Sequence, residues 1–372
     1  MPHSAQALPI SFPDPSRSRT YDSVLDLIGN TPLVRLNRLT EGLPATVYVK
    51  LDGFNLGGSS KDRIGLNIVR EAIAGGELRP GGRITDTGAG NTAIGIALAG
   101  NATGHPSSSV PLPTLSPEKA RLLEFLGVEL LPGRPDVPRE DPENWANVAQ
   151  RRAEAETDGW WSHQESNGDN PAAHIASTGP EIWHQTGGRV THFLAQIATG
   201  GTVSGTGSYL HEQNPEVSVI ATDFHGSMHS QSNLYRVASG EPDAEQLERD
   251  WPENIDLDVI DRIERRDREA AIALGWRAAR EEGLLIGLSS ALSLGVALDL
   301  AANADEDDVF VVFSADSARD YVSREYNLAW LRENDYPELA ERLARGDYSA
   351  PTHGSTDPDT VLVARADDRV LA

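Results

Sequence analysis

A run of strand residues, then a glycine-rich turn, then the first turn of a helix recurs along this chain, and it constrains the fold more than any other feature. It occurs at 83–86 ahead of Thr87-Gly88-Ala89-Gly90 and Asn91, and again at 190–197 ahead of Ala198-Thr199-Gly200-Gly201-Thr202. Glycine at such a turn lets the backbone reverse tightly and approach another group closely. Strands alternating with helices in this order specify a parallel sheet, with ligands gathered at the carboxyl ends of the strands. The expected fold class is α/β, and a chain of 372 residues is long enough for two such domains.

The expected division is a mobile Pro/Ser-rich leader at 1–20, a small domain from 21–32 and 55–167, a large domain from 33–54 and 168–335, and a polar C-terminal tail at 336–372. One stretch breaks the pattern. His105-Pro106-Ser107-Ser108-Ser109-Val110-Pro111 does not read as a buried strand, so the small sheet is expected to be degraded or exposed there. Strands are also expected at 284–287, a helix at 320–333, and an irregular loop at 228–254.

Charge narrows the function. A formal net charge of −24 repels a polyanion, which argues against a nucleic-acid partner. With no cysteine there are no disulfides or thiolate metal ligands, and no apolar run reaches the length of a membrane span. A cytoplasmic protein is expected. No metal site is expected either: His225 and His229 are four apart, but Gly226 and Ser227 make that stretch a loop.

Only three lysines occur, Lys50, Lys61 and Lys119, so amine chemistry has a short list of candidates. Arginine is never deprotonated in proteins and cannot serve as an amine nucleophile. Lys50 lies in the alternating segment ATVYVKLD and reads as an exposed strand residue. Lys119 follows Ser116-Pro117-Glu118, a cap with proline at the first helical position, and reads as a surface helix residue. Lys61 follows Gly57-Gly58-Ser59-Ser60 and opens a helix, so a planar ligand can approach it; a plain loop lysine is the alternative.

IGNTPLVRLNRL (28–39), VKLDGFNLGGSSKDRIGLNIV (49–69) and STGPEIWHQTGG (177–188) together resemble the cysteine synthase and cystathionine β-synthase family, over a span from about Tyr21 to about Asn334. The resemblance implies a pyridoxal phosphate (PLP) enzyme of the fold-type II, tryptophan synthase β-like architecture, with two parallel-sheet α/β domains. It implies that Lys61 holds the cofactor as a Schiff base. ATGGT at Ala198, Thr199, Gly200, Gly201 and Thr202 resembles the family's GTGGT phosphate loop, and consecutive amides at a helix start suit a dianion. Read alone, without the resemblance, it reads as a structural turn. Ser289 matches the serine that bonds the pyridine nitrogen, or else caps a helix. A neutral hydroxyl there makes the ring a weaker electron sink than a carboxylate would, which favours expulsion of a β-leaving group.

Asn91 matches the asparagine that contacts the ring hydroxyl in the family. The family's TSGNTG stands in register with Gly88-Ala89-Gly90-Asn91-Thr92-Ala93, so two hydroxyl-bearing positions are lost. Asp86-Thr87-Gly88-Ala89-Gly90 also resembles the ETGAG of the tryptophan synthase β subunit, which implies that Thr87, Gly88, Ala89, Gly90 and Thr92 bind a substrate carboxylate, with Gln164 beside them. It further implies that Asp86 assists a nucleophile; the alternative is a solvated residue at a strand end. Further departures from family glycines are Ala93, Ala198 and Ala291.

The resemblance implies β-replacement on a serine-like amino acid such as serine or O-acetylserine, by a thiol, amine or other nucleophile, in a homodimer. Two alternatives stay open: a serine or threonine deaminase that only eliminates, and a PLP-binding pseudoenzyme acting as a regulatory partner.

Overall fold

The computed structural model describes residues 20–349 and 359–364, apart from 89, 113–114, 135, 139, 242–243 and 245–246. Its strands in chain order are β1 (Leu33–Arg35), β2 (Thr46–Leu51), β3 (Ile84–Gly88), β4 (Ser107–Pro111), β5 (Glu129–Leu130), β6 (Trp160–Trp161), β7 (His192–Gln196), β8 (Ser218–Phe224), β9 (Arg262–Arg266), β10 (Val309–Ser314) and β11 (Thr360–Leu362). They form a seven-stranded sheet of order β1-β2-β10-β7-β8-β9-β11 and a four-stranded sheet of order β5-β4-β3-β6. The larger sheet is parallel from β2 to β9, with antiparallel edges at β1 and β11. Every pairing in the smaller sheet is parallel. The expected parallel α/β class is borne out. The smaller sheet's strands all lie within 55–167.

Burial on both faces explains the larger sheet. β10 reads Val-Phe-Val-Val-Phe-Ser and is buried throughout, as a central parallel strand must be. Phe310 and Val312 point into one apolar layer with Val47, Val49 and Leu292, while Val311 and Phe313 point into another with Phe193, Val203 and Leu210. In the smaller sheet the covering helices are α1 (Lys61–Gly75) and α2 (Asn91–Thr103). They cross with glycine against glycine: a Cβ on Gly65 would stand 2.3 Å from the Gly95 carbonyl carbon, and one on Gly95 would stand 2.3 Å from the Lys61 oxygen. That approach is open only to glycine, and it brings the start of α1 against α2.

Several local expectations are corrected. Residues 107–111 do form a strand, β4, between β5 and β3, and Ser107, Ser108, Ser109 and Val110 are buried. One of these hydroxyls finds a partner across the sheet, Ser108 Oγ lying 2.9 Å from Thr85 Oγ1, whereas Ser109 Oγ is buried without one. Pro111 stands opposite Gly88 at the strand's end. Lys50 is buried, not exposed, because both faces of β2 are covered and a carboxylate from far along the chain meets it. Residues 284–287 are not part of a sheet; the Gly287 N–H goes to the Asp316 carbonyl at 3.2 Å. The expected helix at 320–333 is two pieces, a 3-10 turn Ala318–Tyr321 and a helix Leu328–Glu333 that restarts where Asn327 caps it. Within 336–372, expected as a tail, Pro337–Ala344 is helical and puts Leu339, Ala340 and Leu343 into the larger sheet's core.

Candidate active site

The chain segments that carry the expected cofactor residues meet at the seam between the two sheets. Ser60 N donates to Ala315 O at 2.7 Å, so the turn before Lys61 is pinned to the segment leaving β10. Lys61 then opens α1, its Nζ 3.3 Å from Ser60 Oγ. One small cavity is lined by Lys61, Gln196, Ala198, Thr199, Gly200, Thr202, Ser289, Phe313 and Ala315. Burial pushes the Lys61 amine below its ordinary value, against the pull of Asp316 and Asp52.

The 198–202 loop joins β7 to a helix, Gly201–Gln213. Gly200 has φ 90°, and a Cβ there would stand 2.6 Å from Ile255 N. Gly201 is equally tight, its would-be Cβ 2.0 Å from Asn170 Oδ1. At Gly200 and Gly201 the loop therefore presents bare backbone at a helix N-terminus. Thr202 Oγ1 lies 3.1 Å from His174 Nε2, and Thr178 Oγ1 lies 2.8 Å from the other ring nitrogen. Burial drives His174 down to about 3, so it stays neutral. His229 Nε2 donates to Ala198 O at 3.2 Å.

A second group sits beside the first. Asn91 begins α2 and donates from Nδ2 to Asp316 Oδ2 at 3.1 Å. Thr92 Oγ1 donates to Gln164 Oε1 at 2.6 Å, and Gln164 Nε2 donates to the Thr87 carbonyl. Gly88 and Gly90 take φ values of 154° and 108°. Ala89 lies outside the described residues. Asn170 ties the two groups together, donating from Nδ2 to Gln164 O at 2.7 Å and to Thr199 Oγ1 at 3.0 Å. Asn254, at the end of the stretch expected as a loop, donates to the same Gln164 carbonyl at 2.9 Å.

Asp86 does not line the Lys61 cavity. Nor is it the solvated strand end of the alternative reading: it sits in the middle of β3 and is buried. Ser162 Oγ donates to its Oδ1 at 2.6 Å, and its Oδ2 has no partner. Burial raises the carboxyl to about 7, against the Ser162 hydrogen bond. The free oxygen is 3.8 Å from where a Gly88 Cβ would stand.

Beneath Lys61 lies a closed charge network. Arg63 bonds Asp52 through Nε at 2.7 Å and Nη2 at 2.9 Å, and bonds Glu181 through Nη1 at 2.6 Å and Nη2 at 2.9 Å. Lys50 Nζ donates to Glu181 Oε2 at 2.6 Å, Gln185 Oε1 at 2.9 Å and Thr31 O at 2.8 Å. Burial acts against ionisation of Glu181, but Arg63 and Lys50 outweigh it and bring the carboxyl down to about 2. Sequence reasoning missed this network, and missed Asn170, His174 and Asp316; of these only Asp316, just past the apolar β10, carried a signal, as a carboxylate at the carboxyl end of a parallel strand. Lys119, expected at the surface, is also turned inward, 3.3 Å from Asp320 Oδ2.

A lysine with a depressed amine, a glycine-turned loop at a helix start and a serine beyond it fit a phosphorylated aldehyde cofactor. Residues 24–315 match the family described as pyridoxal-phosphate dependent enzyme. Cysteine synthase 1 of Neurospora crassa is 37% identical over 83% of this chain and 84% of its own length. The O-acetylserine dependent cystathionine beta-synthase of Bacillus subtilis is 34% identical over 81% and 96% respectively. The solved structure of O-ureido-L-serine synthase superposes with a TM-score of 0.72 at 31% identity, covering 82% of this chain and 94% of that one. The chain belongs to the pyridoxal-phosphate-dependent cysteine synthase and cystathionine β-synthase family, and it is a PLP-dependent enzyme.

Proposed function

We propose that the protein carries out β-replacement on serine or an O-substituted serine, with Lys61 as the catalytic amine. The observation that carries this reading is the convergence of Lys61, the 198–202 loop and Ser289 on one cavity. PLP, when bound, supplies an aldehyde that condenses with an amine and a ring that takes up electron density from the substrate α-carbon. Lys61 Nζ, favoured in its neutral form by burial, accepts the α-proton. The amides at 199–202 and the Thr199 and Thr202 hydroxyls hold the phosphate, Asn91 holds the ring hydroxyl and Ser289 the ring nitrogen. The Thr87, Gly88, Ala89, Gly90 and Thr92 loop with Gln164 binds the substrate carboxylate. Loss of the β-substituent then opens the β-carbon to a nucleophile.

Asp86 is the group that orients or deprotonates this nucleophile. Its support is the unpartnered oxygen beside Gly88 and a carboxyl raised to about 7, near the pH at which a general base is most effective. Sulfide is already largely ionised and needs no such help, so the preferred acceptor is a larger thiol, an amine or an aromatic nucleophile. A homodimer and a cytoplasmic location belong to the same reading; Tyr21, Val24, Leu27 and Val34 are apolar side chains left exposed in the single chain. Among the described residues no helix is long and apolar enough to cross a membrane.

The test is to incubate the PLP-loaded enzyme with serine or O-acetylserine and a panel of thiols, amines and indole-like acceptors, with products read by mass spectrometry. A substituted alanine as product supports the reading. Pyruvate as the sole product means elimination, and no turnover with a cofactor spectrum that ignores the amino acid means a pseudoenzyme.

A further inference from the structure

None of the three lysines of this acidic chain serves the surface. Lys50 is enclosed in the Glu181 network, Lys61 lines the cavity, and the side chain of Lys119 is 13% exposed and faces Asp316 and Asp320. The carboxylate it faces is the point at which the cofactor-site segments join. Asp316 pairs through its backbone with Ser59, two residues before Lys61. Its carbonyl accepts from Gly287 N at 3.2 Å, two residues before Ser289. Its Oδ2 accepts from Asn91 Nδ2 at 3.1 Å and from the Tyr321 hydroxyl at 3.1 Å. Lys119 Nζ, from the helix Pro117–Phe125, lies 3.8 Å from the same oxygen and 3.3 Å from Asp320 Oδ2. Gly287 leaves the room: a Cβ there would stand 1.8 Å from Asp316 Oδ1.

A carboxylate that is 4% exposed is costly to bury unless several donors meet it. Here those donors come from both sheets' chain segments, so the carboxylate fixes their relative placement. We infer that Asp316 is a positioning residue for the cofactor, one carboxylate that sets the Asn91 amide against the Lys61 turn and the Ser289 helix, with Lys119 and Tyr321 holding it in place. The inference rests on the reading of Lys61, Asn91 and Ser289 as cofactor contacts. Its electrostatic side concerns Lys61. The charged and titratable groups facing that amine are Asp316, Asp52, Asp62, Lys119 and His174, and those facing Asp316 are Lys119, Asp320, Tyr321 and Tyr326. Among the groups that favour the charged amine, Asp316 acts most strongly.

The experiment uses the full-length protein stripped of cofactor, as wild type, Asp316→Asn and Asp316→Ala. PLP affinity is read from quenching of tryptophan fluorescence. The Lys61 amine is read from the pH midpoint of the rate at which a borohydride-reducible adduct forms, which follows the neutral amine. Asp316→Asn keeps an acceptor for Asn91 but removes the charge; PLP binding should weaken by roughly tenfold, and the midpoint should move to lower pH because an opposite charge no longer stabilises the ammonium. Asp316→Ala should weaken binding further. A merely structural aspartate would lower the melting temperature and leave the midpoint in place. Unchanged affinity and midpoint in Asp316→Asn overturn the inference, and that isosteric variant decides alone where Asp316→Ala does not fold. If wild type forms no adduct at Lys61, the cofactor reading itself falls and takes this inference with it; if wild type forms it and Asp316→Asn is indistinguishable, only the inference falls.

Discussion

Two groups of buried charged and titratable side chains differ in how they are satisfied. The Lys50, Asp52, Arg63 and Glu181 network is closed: two cations meet two anions, Thr31 and Gln185 take up remaining valences, and both carboxyls are held below their usual values although burial acts to raise them. The carboxyls of Asp62 and Asp86 are open: Asp62 Oδ1 and Asp86 Oδ2 lack partners, and burial lifts each to about 7. The difference separates structure from chemistry. A closed network fixes the 28–32 turn, α1 and the Gly179–Thr186 helix against one another, whereas a buried, unpartnered oxygen on a carboxyl with a raised pKa marks a candidate functional group.

The largest expected effect falls on Lys61, which belongs to neither group. Lys61→Ala should reduce turnover below detection while cooperative thermal unfolding persists, since Lys61 contributes one 3.3 Å contact to Ser60 and no ion pair in the closed network. Retained turnover in that variant would mean that the chemistry beside these two groups does not run through Lys61. Next comes the closed side: Arg63→Ala strands Asp52 and Glu181 and should destabilise by about 3–5 kcal/mol in urea unfolding, the cost of breaking a buried pair from one side. A loss below about 1 kcal/mol would show the network to be dispensable.

A smaller effect is expected at the phosphate loop. Gly200→Val forces a side chain into Ile255 and should raise the PLP dissociation constant by roughly tenfold with the chemical step little changed. Wild-type affinity would mean that the phosphate is held elsewhere.

The last is a pH effect that sharpens the contrast. Asp86 has a folded pKa of about 7 against a reference value of 3.8, so the folded state binds a proton that the unfolded state has lost between those values. Its contribution to stability is therefore fully present below the unfolded pKa and is lost as pH rises through about 7. Asp86→Asn should flatten this part of the stability profile, leaving a like-signed share from Asp62. It should also lower kcat/KM for larger acceptors more than for sulfide. Equal kcat/KM ratios in both enzymes would return Asp86 to a structural role.

How much of this was legible in the sequence follows from the range of the interactions. The 190–197 strand with its glycine loop, and the 61–75 helix ended by left-handed Gly76, are set by neighbours along the chain, and both stand where they were expected. Lys50 was misread because its partner Glu181 is 131 residues away, and alternation in TVYVKL is the same whether a face meets water or a carboxylate. The serine strand β4 was misread because hydroxyl pairing with Thr85 is invisible until the register is known. Asp316 belongs to the same class, since Asn91 meets it across 225 residues.

The central claim is that Lys61, and neither of the other two lysines, carries the cofactor. Borohydride reduction of the PLP-loaded protein followed by peptide mapping tests it directly. The account predicts a single phosphopyridoxyl group on the peptide containing Lys61; the group on Lys50 or Lys119 would contradict it.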